Sequence, residues 1–301
     1  MRKAIMAAVA AILFAGSFAA NAGEKTIGVT IMTREHVFFN IIEENLVKAA
    51  KDLGYKTIVM DANFDVNKQI GQIDDLITQK VDGMIIAPAA TGGLEPVIKK
   101  LAAEKIPTVT VNIKINSDDP IIISSIGTDN YGGGYIAGEF AVKYLKGKGN
   151  TAVITYAEIF DCRERERGFK EAVAVAPGIK VLDTQNYAGS AEKAQQLVQD
   201  MLIKFPDLDL IFGVGDPAVV GGMAAAKAAG KDVKFIGFDG NPEAVDAIKQ
   251  GGMWIADATQ SPDQMGKLSV QALDDFWKGK TPQKVIDIKC NLIDQVSLAG
   301  K

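Results

Sequence analysis

Residues 26–60 read TIGVTIMTREHVFFNIIEENLVKAAKDLGYKTIVM, and their pattern decides the fold. Thr26 to Met32 is a short, almost unbroken apolar run, as expected of a strand buried on both faces. Phe38 to Asp52 then carries apolar residues at helical spacing (Phe38, Ile41, Ile42, Leu46, Ala49), and Gly54 supplies a stop. Thr57 to Met60 is a second β-rich run. Continuous apolar strands alternating with helices imply a parallel sheet covered on both faces.

The same rhythm continues outward. Gly83 to Ala87 and Thr108 to Val111 read as strands, with helices over Val66 to Lys80 and Leu94 to Glu104. It restarts after Thr128-Asp129-Asn130, with helices at Tyr135 to Leu145, Arg165 to Val175, Ala191 to Lys204, Ala218 to Ala229 and Pro242 to Gln250. Between them lie strands at Thr151 to Thr155, Lys180 to Gln185, Leu210 to Val214, Phe235 to Phe238 and Trp254 to Thr259. A long helix, Pro262 to Lys278, and a strand, Val285 to Cys290, follow. The fold class expected is α/β: two doubly wound, Rossmann-like parallel-sheet lobes.

Length agrees, since 301 residues suggest two domains at roughly 150 residues each. Thirty-three Lys and Arg against 37 Asp and Glu give a net charge of −4, which argues against a nucleic-acid binder. One His and two Cys rule out a disulfide scaffold and most zinc sites, and no metal is expected. Arg2 and Lys3, the apolar stretch Ala4 to Phe18, and Ala20-Asn21-Ala22 have the form of a secretory signal peptide cleaved after Ala22. No Cys follows to take a lipid, so a periplasmic protein is expected. Export leaves two options for Cys162 and Cys290, a bridge or two free thiols.

Ligands on open parallel sheets bind where the strands' carboxyl ends meet loops. After the first strand come Arg34, His36 and Phe38-Phe39. Adjacent helical residues point about 100° apart. The two rings therefore either divide between core and surface or form an aromatic plate for a flat ligand. His36 reads as an ordinary loop histidine. Residues 161–169, DCRERERGF, read as a solvated charge run, except that Arg165 falls at a strand-to-helix junction where its fork of donors suits hydroxyls or a carboxylate. FIGFDG (235–240) puts Phe238, Asp239 and Gly240 at a strand end, where Asp239 is either a turn residue or a hydroxyl acceptor. Asp216 before Pro217 reads as a helix N-cap, and Thr259-Gln260 closes the second series. No phosphate-binding loop, no nucleophile elbow and no G-x-G-x-x-G spacing occurs, Gly132-Gly133-Gly134 included. Nothing argues for an enzyme or a cofactor.

The runs TIGVTIM…VFFN, DLGYKTIVMDANFD, VDGMIIAPA, KIPTVTVN, IGTDNYGGGYIAGEF, RERERGFKEA, FPDLDLIFGVGD, VKFIGFDGNPE and ATQSPDQMG, in this order from about Lys25 to Cys290, resemble the periplasmic sugar-binding proteins of ABC transporters, of the ribose-binding type. The resemblance implies two lobes joined by a three-strand hinge that close around a sugar, with crossovers near Thr128-Asp129, Gln260-Ser261 and Lys289. It implies a signal peptide over 1–22, one lobe of 23–128 plus 261–289, and another of 129–260 plus 290–301. The family's paired aromatics match Phe38 and Phe39, its arginine Arg165, its strand-end carboxylate Asp239 with Phe238 beside it, and its hinge glutamine Gln260.

Five contact positions depart from the family pattern. His36 stands where ribose binders have Asn, Ala87 precedes Pro88 where they have Asn, and Asn112-Ile113 replaces an Asp-Arg clamp. Gly189 and Gly215 replace a Phe and an Asn. Charge-assisted hydrogen bonds contribute about 1.5–3 kcal/mol each, so loss of the clamp predicts that ribose is not the best ligand. The smaller side chains predict room for a hexose, a substituted sugar or a polyol, whereas His36 with Arg34 would favour an acidic group. The partner implied is an ABC permease, served by a monomeric receptor that performs no chemistry. A chemoreceptor or sensor kinase receiving a furanose-like signal is the alternative. A DNA-binding regulator, which shares the two-lobed architecture, conflicts with the leader and the acidic charge. A secreted enzyme would reveal itself by turnover.

Overall fold

The computed structural model describes residues 24–299, so the leader expected over residues 1–22 lies outside the described part. The opening apolar run forms β1 (Thr26–Ile31), buried along all but its first residue. It pairs in parallel with β2 (Lys56–Asp61) on one side and β3 (Gly83–Ile86) on the other. The intervening α1 (Val37–Asp52) buries Phe38, Ile42, Leu46 and Ala50, a stripe repeating every four residues, together with Phe39. Asp65 caps α2 (Val66–Thr78), its Oδ1 accepting from the N–H groups of Asn67 and Lys68 at 2.8 and 3.1 Å. Then come α3 (Glu95–Ala103), β4 (Thr108–Val111) and β5 (Ile122–Thr128).

The sequence reading passed over β5, whose IISSIGT breaks the apolar run with two serines. Both hydroxyls are satisfied within the lobe: Ser124 Oγ donates to the Gln283 carbonyl at 2.7 Å, and Thr110 Oγ1 donates to Ser125 Oγ at 2.9 Å. With their partners in place the serines sit in a covered sheet at little cost.

The second series comprises α4 (Asn130–Tyr144), β6 (Lys148–Thr155), α5 (Phe160–Ala174), β7 (Gly178–Asn186), α6 (Ala191–Lys204), β8 (Leu210–Gly213), α7 (Asp216–Ala228), β9 (Lys234–Asp239), α8 (Pro242–Gln250) and β10 (Trp254–Thr259). The chain then returns through α9 (Pro262–Trp277), which packs on α1, to β11 (Val285–Ile288), and ends its described part with β12 (Asn291–Asp294) and α10 (Gln295–Ala299).

Two six-stranded sheets result, ordered β11-β5-β4-β3-β1-β2 and β12-β10-β9-β8-β6-β7. The first is wholly parallel, and the second is parallel except for β12, antiparallel to β10. Each half repeats one winding order, so each has a switch point, between β1 and β3 and between β6 and β8, where the strands' carboxyl ends open a crevice. Three connections pass between the sheets: β5 to α4, β10 to α9, and β11 to β12. Apolar clusters cover both faces of the first sheet, and one continuous cluster fills the second lobe.

Two helices begin five residues earlier than the sequence suggests. α4 starts at Asn130 and takes in Gly132-Gly133-Gly134. A Cβ on Gly134 would run into the Arg165 carbonyl and one on Gly168 into the Tyr131 carbonyl, so these glycines let α4 and α5 touch backbone to backbone. α5 starts at Phe160, so Arg165 sits in its second turn and not at the junction expected. Arg163 and Arg167 lie on the solvated face foreseen, with Arg167 bonded to Glu164 and Glu171, and Lys170 to Glu166.

Candidate ligand-binding cleft

Every loop lining the space between the lobes follows the carboxyl end of a strand. From the first lobe come Met32, His36, Phe38 and Phe39 after β1, Phe64 after β2, Ala89 after β3, and Asn112 and Ile113 after β4. From the second come Tyr156, Ile159, Asp161, Cys162 and Arg165 after β6, Tyr187 and Gly189 after β7, Val214, Gly215 and Pro217 after β8, and Asp239 after β9. Gln260 lies at the second crossover. The empty space, open mouth included, is about 750 Å³.

Arg165 is 6% exposed and tightly held. Its Nε donates to Asn130 Oδ1 at 2.7 Å, and its Nη1 donates to the Val214 carbonyl at 2.8 Å and to Asp239 Oδ1 at 3.0 Å. Its guanidinium lies 3.9 Å from the centre of the Phe238 ring. Nη2 donates to no described protein group. Asp239 Oδ1 also accepts from Gln260 Nε2 at 2.6 Å, and Gln260 Oε1 accepts from Thr128 Oγ1 at 2.5 Å. This chain ties the first two crossovers to the carboxylate. Asp239 Oδ2 accepts only the distant Asp216 N–H, at 3.3 Å.

Asp239 has φ = 131°, a conformation that side chains disfavour, and Gly240 follows at φ = 76°. Two buried carboxyls pin this turn from below: Asp257 Oδ1 accepts the Gly240 N–H and Asp216 Oδ2 the Asn241 N–H, each at 2.9 Å. Burial pushes Asp257 up to about 8 and Asp216 well above the carboxylate range, and each is raised further by charged neighbours that include Asp239. The pair therefore retains a proton at neutral pH. Asp216 is thus not the N-cap that the sequence suggested; Gly215 takes that place, and the Asp216 carboxyl braces the neighbouring loop.

Of the expected contacts, the cleft gathers Phe38, Phe39, His36, Asn112, Arg165, Asp239 and Gln260. Phe238 is the exception. Strand alternation turns it away from Asp239, and it is fully buried beneath Arg165, so it supports the guanidinium and does not line the cleft. Phe38 and Phe39 do not divide between core and surface: both are buried, edge to face at 5.3 Å, and both face the cleft. Ala87 is 2% exposed, and the lining residue of that loop is Ala89, whose N–H donates to the buried Gln69 Oε1 at 2.8 Å. Arg34 forms a two-pronged pair with Glu43 at 2.8 and 2.6 Å and lies outside the cleft.

The extra room expected from Gly189 and Gly215 is partly refilled. A Cβ on either would stand 3.0 Å from Tyr156 or from the Tyr187 hydroxyl, respectively. These tyrosines meet edge to face at 5.8 Å. Sequence reasoning missed both, along with Phe64, whose ring meets His36 at 5.2 Å, and Asp161. Their common signal was position one to six residues past a strand end. Burial shifts His36 toward its neutral form against the pull of Asp239 and Glu35. Cys162 and Cys290 are both free, and burial raises their thiols to about 11 and about 12, leaving them protonated. Among the described residues no cluster of His, Cys, Asp or Glu could hold a metal, and no helix is long and apolar enough to cross a membrane.

Two wound lobes, a three-connection hinge and a polar, aromatic cleft between them define a two-lobed binding protein of the periplasmic type. Residues 27–281 match the model of the periplasmic binding protein domain, and the chain belongs to that family. It is 31% identical to the ribose import binding protein of Salmonella typhimurium over 97% of this chain and 98% of that one. A solute-binding protein of an ABC transporter from Agrobacterium vitis, solved with α-D-tagatopyranose, is 27% identical, with a TM-score of 0.84 over 91% of this chain and 96% of that one. A galactofuranose-binding protein is 25% identical, with a TM-score of 0.84 over 92% and 96% of the two chains.

Proposed function

We propose that this protein is a periplasmic solute receptor that captures a sugar or sugar-like polyol between its lobes and presents the closed form to an ABC permease. The observation that carries this reading is the bonded chain Thr128–Gln260–Asp239–Arg165, which joins two crossovers to a carboxylate and a guanidinium facing an aromatic pair. Asp239 Oδ2 offers an acceptor and Arg165 Nη2 a donor, the complementary pair that sugar hydroxyls can use. The rings of Phe38 and Phe39 offer apolar faces for the C–H side of a sugar ring. The relatives support the class, and the sugars they are named for or were solved with differ from one another.

Binding to one lobe and hinge closure onto the other would bury the ligand; no turnover is required. The lobes comprise 23–128 with 261–289 and 129–260 with 290–301, and the leader over 1–22 exports the chain. Ribose is not the best ligand, because Asn112 and Ile113 offer no charge from the first lobe.

A thermal-shift screen against pentoses, hexoses, amino and methylated sugars, polyols and sugar acids, with amino acids as controls, tests the reading. A ligand at about 100 times its dissociation constant stabilises by about 2.7 kcal/mol, which raises the midpoint by several degrees at this size. A hit among sugars or polyols, larger than that with ribose, is expected. Silence across all of them, with a response to an amino acid, would contradict it.

A further inference from the structure

The polar groups of the cleft divide into those engaged within the protein and those left without a protein partner. Arg165, Asp239 and Gln260 belong to the first set. Asp161, in the first turn of α5, belongs to the second: it lines the cleft half-buried, and no donor among the described residues bonds its carboxylate. Leaving a carboxylate in such a place without a donor is costly.

The nearby cations act on Asp161 through space but do not bond it. Arg165, one helical turn on, is bonded to Asp239, and Lys114 is paired with Asp287 at 3.1 Å. The first lobe adds the neutral Asn112 and Ile113 to the cleft lining, and His36 is shifted toward its neutral form. The cleft therefore holds one carboxylate that no described protein group bonds, and a ligand can bring the donor.

We propose that Asp161 is a specificity-determining residue that accepts hydroxyl protons from the bound ligand and excludes sugars carrying a carboxylate or phosphate, so that the receptor takes neutral sugars. This rests on the receptor reading above and removes the acidic-ligand option that His36 and Arg34 raised in the sequence. A carboxylate in a first helical turn can also serve only the helix dipole. The two roles differ in sign: without ligand, replacing a helix-dipole carboxylate lowers stability, whereas replacing an unpartnered, half-buried one does not.

The test compares wild type with Asp161→Asn, and with Asp161→Ala as second variant, in titrations with D-glucose, D-galactose and their uronic acids, and with the other neutral sugars of the screen. Expected are unliganded midpoints no lower than wild type, neutral-sugar affinity weakened at least tenfold, and a neutral-over-acid preference narrowed at least tenfold. Affinities within threefold of wild type with an unchanged preference would overturn the proposal while leaving the receptor reading intact, as would variants that melt lower or fail to fold. A wild type that binds none of these sugars would overturn both.

Discussion

Asp239 owes its place to its backbone. At φ = 131° its carboxylate turns into the cleft while its carbonyl still accepts the Gln260 N–H at 3.0 Å, so one residue serves both hinge and ligand. Its neighbour Phe238 supports it indirectly, as the ring beneath Arg165. Phe238→Ala should therefore do two things. It should cost about 3–5 kcal/mol of stability, as for a large core side chain, and it should weaken sugar binding by letting the guanidinium drop away from Asp239. Unfolding in denaturant and titration of the variant check both; wild-type affinity would show that Arg165 needs no ring beneath it. The contrast between these two residues marks the limit of the sequence. Strand-end position pointed to both Phe238 and Asp239, but only alternation across a correctly bounded strand tells which of the two faces the ligand. Tyr156 and Tyr187 were illegible because loop residues carry no periodicity, and Asp161 because α5 begins five residues before the apolar spacing shows it.

At the scale of elements, β1 and α1 were plain in the sequence because apolar spacing encodes buried faces directly. β5 was not, because its serines find partners only from β4 and the segment before β11. The start of α4 was hidden for a similar reason: glycines weaken a helix by propensity, yet here they let it meet α5. The loop between β9 and α8 rests on Asp257 and Asp216, and this has a pH consequence. A buried acid raised to about 8 is more protonated folded than unfolded from about pH 4 upward. Its contribution to stability is thus full below about pH 4 and is lost as pH rises to about 8, at up to about 1.4 kcal/mol per pH unit for one proton. Asp257→Asn should flatten the fall in unfolding free energy between pH 5 and 8. A slope identical to wild type would place the proton elsewhere.

For the whole molecule, two sheets of one winding order set their switch points face to face, and the three connections between them form the hinge. The cleft is polar on the side of Arg165, Asp239 and Gln260 and apolar on the side of Phe38 and Phe39, which suits a sugar with its hydroxyl rim and C–H face. The account stands most directly on isothermal titration of wild type, Arg165→Ala and Asp239→Ala with the best sugar from the screen. It predicts one site per chain in the wild type and affinity lowered at least 100-fold in each variant, a loss of about 2.7 kcal/mol or more, with the far-ultraviolet dichroism of both variants unchanged. Binding within threefold of wild type in either variant would contradict it and take the guanidinium–carboxylate pair out of the site.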